Sequence, residues 1–277
     1  MRSLRALALC VLAGWPGLAG AHAGLSEALA RLDGELAQAP TATLWIARAE
    51  RQLQDGLWAP ALEDLARAAG HPMDDGTRAR WGGLKGLALE AAGRSQEALS
   101  SVDGALAVLP GASLHRARAR LLGGRGQWAA SLVDWAAAQR MDPTPEGCLQ
   151  WAAAAERAGR PAEAERVLEA GLGQLWGAVP VRLALVDLLR RTGRPARALH
   201  WVAEAEAAWP SSPEWPVLAA EMHLARGTWP QARAALVRAG GLMERRAARG
   251  RGEGLDAPWR ERATAVRTAL ERTRGTR

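Results

Sequence analysis

The sequence predicts an all-α solenoid of stacked helical pairs, and three observations predict it. First, Gly56, Gly93, Gly126, Gly159, Gly193 and Gly227 follow one another at intervals of 37, 33, 33, 34 and 34 residues. A fixed period in this range marks an array of similar units, each burying its apolar face against the next. Second, the same side-chain sizes recur in phase with each glycine. Five residues on stands a small residue (Ala61, Ala98, Ser131, Ala164, Ala198, Ala232). Nine on stands a larger one (Leu65, Val102, Trp135, Leu168, Val202, Leu236). Twelve on stands a small one again (Ala68, Ala105, Ala138, Gly171, Ala205, Ala239). Third, Pro110, Pro143 and Pro210 lie seventeen residues after their glycines, with Pro72 one place early, where a proline ends one helix and prepares the next.

The elements can be justified in order. Residues 1–23 begin with Arg2 and Arg5, continue in an uncharged apolar run from Ala6 to Trp15, and end in Ala21-His22-Ala23. This is the plan of a secretory signal peptide cleaved after Ala23. Its apolar run is far shorter than the roughly 20 residues that span a bilayer, so no transmembrane segment is expected after cleavage. Cleavage removes Cys10 and leaves Cys148 alone in an apolar helical stretch, so no disulfide is expected. Residues 24–41 hold an N-terminal capping helix, centred on 25–38. The repeat array occupies 42–243. Its third unit, for example, reads as helices over about 113–124 and 129–140, joined at Gly124-Arg125-Gly126. The turn glycines suit the left-handed position that closes a helix. Thr144-Pro145-Glu146 and Ser212-Pro213-Glu214 read as N-cap, first-turn proline and first-turn acid. Residues 244–277 are an Arg-rich linker and a C-terminal capping helix, in which Trp259, Ala263, Val266 and Leu270 share a face. Gly240-Gly241 and Arg249-Gly250-Arg251-Gly252 read as a flexible connection.

Taken together, residues 42–243 resemble the tetratricopeptide repeat. The units carry the turn glycine, the small residue five later, the large one nine later, the small one twelve later, and then proline. Seven places before the turn stand Ala49, Gly86, Ala119, Ala152 and Ala220, whereas Val186 departs and predicts a wider helix pair in the fifth unit. The resemblance implies a right-handed superhelical solenoid of about six units and a protein-binding concave wall built from the first helix of each unit. That wall includes Ile46, Glu50 and Leu53; Gly83, Leu87 and Glu90; Arg116, Arg120 and Gly123; Leu149, Gln150, Ala153 and Glu156; Leu183, Asp187 and Arg190; and Val217, Glu221 and Leu224. The candidate binding residues are Glu50, Leu87, Arg116, Arg120, Gln150, Asp187, Arg190 and Glu221. Guanidinium groups suit bidentate capture of carboxylates. Arg116 and Arg120 are therefore expected either to hold an acidic side chain or chain terminus of an extended peptide, or to pair with Glu156 or Asp187 across the groove. The absence of Asn from the chain does not fit the carboxylate clamp of chaperone-binding members.

The composition narrows the function further. The formal charge is +7, but residues 245–277 hold ten Arg against four acidic residues, so the body is close to neutral. A basic nucleic-acid-binding body is excluded on that ground. There are 13 Trp and no Phe or Tyr, so Trp is expected to fill large core positions, with an exposed sugar-stacking stripe as the alternative. His71, His115, His200 and His223 have no metal-binding spacing, and no phosphate loop or catalytic set is evident. The expectation is a non-enzymatic scaffold without cofactor or metal, exported to a bacterial periplasm, that binds a protein or peptide in cell-envelope assembly or secretion. The alternative is a module that binds an envelope polymer or anionic lipid through exposed Trp and the Arg-rich C-terminus.

Overall fold

The computed structural model describes residues 18–175, 177–250, 254 and 256–275, and every regular element among them is helical. Most of the proposed signal peptide, residues 1–17, lies outside the described residues, as do Arg251 and Gly252 of the proposed connection. The chain divides into two compact units, Met1–Asp142 and Pro143–Arg277.

The first unit holds α1 (Leu18–Gln38) and three helix pairs: α2 (Ala42–Gln54) with α3 (Trp58–Ala68), α4 (Asp75–Ala91) with α5 (Ser95–Val108), and α6 (Ala112–Gly124) with α7 (Trp128–Met141). The second unit holds α8 (Pro145–Arg157) with α9 (Pro161–Gln174), α10 (Val179–Arg191) with α11 (Pro195–Ala208), α12 (Glu214–Ala225) with α13 (Trp229–Ala248), and then α14 (Ala257–Gly275).

Each pair turns at its glycine, and the six have φ between 67 and 76°. Only glycine reaches that region without crowding a Cβ. The turn closes by the same bond every time. The N–H after the glycine donates to a carbonyl five residues back, as from Arg94 to Leu89 at 2.8 Å and from Gln127 to Leu122 at 2.9 Å. These bonds satisfy carbonyls that the ended helix would leave open.

The small residues five places past each turn are all fully buried, which lets the second helix lie close against the first. Ser131, the one that is not alanine, donates its hydroxyl to the Ala119 carbonyl at 2.7 Å and so buries no unmet polar group. The larger residues nine places past the turn are buried as well, from Val102 at 0% to Leu236 at 7% exposure. The α10–α11 pair, where Val186 replaces the small residue, is the most sparsely packed of the six.

Three sequence expectations are corrected. Gly240 and Gly241 do not break the chain; α13 runs through them, sustained by burial of Leu236, Ala239 and Met243 along one side. Ser212 does not cap α12, because its N–H closes a turn onto the Trp209 carbonyl and Pro213 occupies the cap position. Thr144 does cap α8, accepting from Gly147 N at 3.0 Å. The third correction concerns Trp. Of the described ones only Trp135 and Trp215 are fully buried, Trp58 is exposed, and the others are half-buried. Arg48 and Arg67 lie over Trp45, and Arg182 over Trp201, at 4.8–5.4 Å from the ring centroids. An indole gains from such a cation at its face while its body covers the core.

Candidate functional site

The first helices of the first unit's pairs, α2, α4 and α6, border a cavity of about 500 Å³. Four sequence-predicted residues, Glu50, Leu87, Arg116 and Arg120, line it together. Gly83 lets α4 and α6 approach here, since a Cβ on it would lie 2.8 Å from Leu114 Cδ2. Leu87 is 37% exposed, which is high for a leucine and gives the cavity an apolar wall. The α5–α6 connection adds Leu109, half exposed, and Pro110.

The cavity's charges are paired. Arg80 binds Glu50. Arg120 Nη2 donates to Glu90 Oε2 at 3.3 Å. Arg116 Nη2 donates to both the backbone oxygen and Oδ2 of Asp142 at 2.6 Å. The expected alternative for these arginines is thus corrected, because Glu156 and Asp187 are engaged by Arg191 instead, at 2.6 and 2.8 Å. Both glutamate pairs join neighbouring first helices, Glu50 on α2 to Arg80 on α4 and Glu90 on α4 to Arg120 on α6. Arg116 Nε is shielded from solvent and has no hydrogen-bond partner among the described residues. Exposed pairs of this kind contribute only about 0–1 kcal/mol each, so an incoming carboxylate can compete with them.

In the second unit Gln150 is exposed on α8. Arg190 Nη2 donates to Asp187 Oδ1 at 2.7 Å on α10. Burial acts to raise the Asp187 carboxyl, but the hydrogen bonds from Arg190 and Arg191 outweigh it and hold the group below its ordinary value. Glu221 is gripped from α14 by both Arg262 Nε and Nη2, at 2.7 and 2.6 Å, so it fastens the last helix.

By sequence the chain matches no family model and no curated protein. Solved structures do match. A tetratricopeptide-repeat protein from Parabacteroides merdae is 15% identical, with 89% of this chain and 92% of that one covered and a TM-score of 0.51. The C-terminal part of a repeat-containing protein from Cytophaga hutchinsonii is 11% identical, with 79% and 90% covered and a TM-score of 0.62. PilF from Pseudomonas aeruginosa is 15% identical, with 71% and 89% covered and a TM-score of 0.53. The chain has the tetratricopeptide-repeat fold.

Placing the repeat positions on this fold shows which expectations its geometry alters. Ile46 and Val217, taken from the sequence as groove residues, are wholly buried and belong to the core of their repeats. Arg80 was missed, although it precedes Gly83 by three residues and Leu87 by seven and so continues their row along the repeat's first helix. Leu109 and Pro110 had no such signal, since a connection's path is not periodic. Among the described residues no three His, Cys, Asp or Glu side chains cluster to hold a metal ion, and no helix is long and apolar enough to cross a membrane.

Proposed function

We propose that this repeat protein is a non-enzymatic scaffold that binds an extended partner segment in the α2–α4–α6 cavity. One observation carries the reading: a single cavity joins the apolar walls of Leu87, Leu109 and Leu114 to the guanidinium groups of Arg80, Arg116 and Arg120. An apolar side chain flanked by a carboxylate, whether from Asp, Glu or a chain terminus, matches that surface. The amino-terminal pattern of residues 1–23 supports export to a bacterial periplasm, with envelope assembly or secretion as the setting.

The test is capture of partners from envelope extract by the full chain, with an Arg116→Ala/Arg120→Ala variant alongside. The expected result is a partner retained by the native chain and weakened at least tenfold by the variant. A partner held equally by both would remove the cavity from the account. Mass spectrometry of the exported protein should find Gly24 at its amino terminus.

A second partner class is an anionic envelope surface. Arg245 on α13, Arg249 at its C-cap, and Arg260 and Arg267 on α14 are all exposed, and clustered cations attract anionic lipid in a salt-sensitive way. Vesicles of phosphatidylglycerol should then bind at low salt and release as salt rises, and loss of that binding on replacing these four arginines would identify the surface.

A further inference from the structure

The first and third repeats share a device that the second lacks. Eight residues before the turn glycine stands an arginine, Arg48 or Arg118. Eight residues after it stands a buried aspartate, Asp64 or Asp134. Arg48 Nε and Nη2 donate to the two Asp64 oxygens at 2.7 and 2.6 Å, and Arg48 also binds Asp33 on the preceding helix. Arg118 repeats this with Asp134 and reaches Asp103, again on the preceding helix, at 3.0 Å. Each arginine thus ties its own second helix to the one before it through two carboxylates.

In the second repeat the arginine's place is taken by Lys85, the only lysine in the chain, and both carboxylates are gone. Ser101 stands where Asp64 and Asp134 stand, and Ala66 holds the place of Asp103, ten residues past the turn glycine. Lys85 is half-buried, with Nζ 4.8 Å from the centre of the Trp81 ring, and it forms no ion pair among the described residues. Glu97 feels its charge but is committed to Arg94, which donates to it twice at 2.6 and 2.7 Å. Beside Lys85 a cleft of about 500 Å³ lies between α4 and α5, lined by Arg78, Trp81, Lys85, Gln96, Ser101 and the Arg94-paired Glu97. Arg78, Lys85 and Gln96 all bring donors to it, and Arg78 too lacks an ion pair among the described residues. This cleft is made by α4 and α5, whereas the α2–α4–α6 cavity is made by first helices.

We propose that the α4–α5 cleft is a second docking site, which takes an Asp or Glu side chain from an acidic segment of a partner protein and pairs it with Lys85. The occupant is a protein carboxylate because that is the group the two sister repeats place against the same position. The partner completes in trans what the chain completes in cis elsewhere, and Trp81 supplies an apolar face for the segment's neighbouring residues.

The sole lysine gives a direct readout. Reductive methylation with ¹³C-formaldehyde keeps the charge and labels one side chain plus the amino terminus of the full chain. The probe is the capped peptide Gly-Glu-Leu-Glu-Gly, with its Gln counterpart and sodium acetate at matched carboxylate concentration. The Glu peptide should shift the Lys85 signal saturably, and the Gln peptide and acetate should not. Ser101→Asp places beside Lys85 the carboxylate that the sister repeats carry, at the loss of the Ser101 hydroxyl's bond to the Gly82 carbonyl, and should weaken the peptide at least tenfold, with circular dichroism reporting its fold. A fluorescein-labelled peptide should likewise lose at least tenfold with Lys85→Met and recover with Lys85→Arg, while Arg116→Ala/Arg120→Ala leaves this binding in place. An unmoved Lys85 signal, an equal shift from acetate or the Gln peptide, or full binding by folded Ser101→Asp would overturn the proposal. None of these outcomes depends on the first-helix cavity.

Discussion

Arg118 and Asp134 are joined by two parallel hydrogen bonds, Nε to Oδ2 at 2.7 Å and Nη2 to Oδ1 at 2.8 Å, across the third helix pair. Asp134 is nearly inaccessible and also meets His115 Nδ1 at 2.7 Å, while Arg118 is 30% exposed. The bond to Asp134 is the chief reason that Arg118 is held above its ordinary pKa. Removing the acid strands a partly buried guanidinium that keeps only Asp103. Asp134→Ala should therefore destabilise the chain by about 1–3 kcal/mol, the cost of leaving such a group unpaired. Urea unfolding of the two proteins at neutral pH measures it, and an unchanged midpoint would mean that water replaces the aspartate without loss.

Two glycines separate backbone cost from packing cost. Gly93 has φ +76°, and a Cβ there would meet nothing within 4 Å. Gly93→Ala should cost about 1–2 kcal/mol from conformation alone. Gly86 lies inside α4, and its Cβ would fall 2.5 Å from Val102 Cγ2 and 3.3 Å from the Ala98 carbonyl. Gly86→Ala should cost about 1–3 kcal/mol by overpacking, despite alanine's better helix propensity. Trimming Val102 to Ala in the same chain should recover part of the Gly86→Ala loss and none of the Gly93→Ala loss, as a double-mutant cycle would show.

The fold was legible because its determinants are periodic. Gly126, Ser131, Trp135 and Ala138 stand at the same offsets as their counterparts, and all six turns close alike. The cavity was legible in part for the same reason, since Leu87, Arg116 and Arg120 sit at fixed places before their turns. Their ion-pair partners were not, because partner choice depends on how far one helix rises past the next. Glu50 meets a residue thirty later, but Glu156 meets Arg191, thirty-five later. Gly240-Gly241 misled because each helical glycine costs only about 1 kcal/mol, less than the burial of Leu236 and Met243 beside it contributes. The indoles misled because size alone suggests a core, whereas a ring such as Trp81 also sends its N–H to the Leu65 carbonyl at 2.7 Å and takes Lys85 on its face.

Cys148 gives a pH dependence with a definite sign. The side chain is buried, its Sγ reaches toward the Val167 carbonyl, and burial pushes the thiol up to about 11 from an ordinary 9.0. Between pH 9 and 11 the unfolded chain has released this proton and the folded chain still holds it. Unfolding then releases a proton, so rising pH favours the unfolded state through this window and has no such effect below it. The native chain should lose more stability between pH 9 and 11 than Cys148→Ala does, with parallel behaviour at pH 7. Urea midpoints across that range decide the matter, and coincident pH profiles would show that the thiol ionises freely in the fold.

The last helix should act as a structural cap. Ala263, Val266 and Leu270 on α14 are buried, and Arg262 clasps Glu221 on α12. A terminal repeat without such cover would present its apolar face to water. Leu270 is 3% exposed, so Leu270→Ala should cost about 2–5 kcal/mol, the range for a core leucine. Arg262→Ala leaves Glu221 partly solvated and should cost only about 1 kcal/mol. Hydrogen exchange locates the effect. In Leu270→Ala the amides of α12, α13 and α14 should lose protection while those of α4 and α5 keep theirs, because stability in a repeat fold is passed chiefly between neighbours. Equal loss in α4 and α5 would show that the chain unfolds as one cooperative block instead.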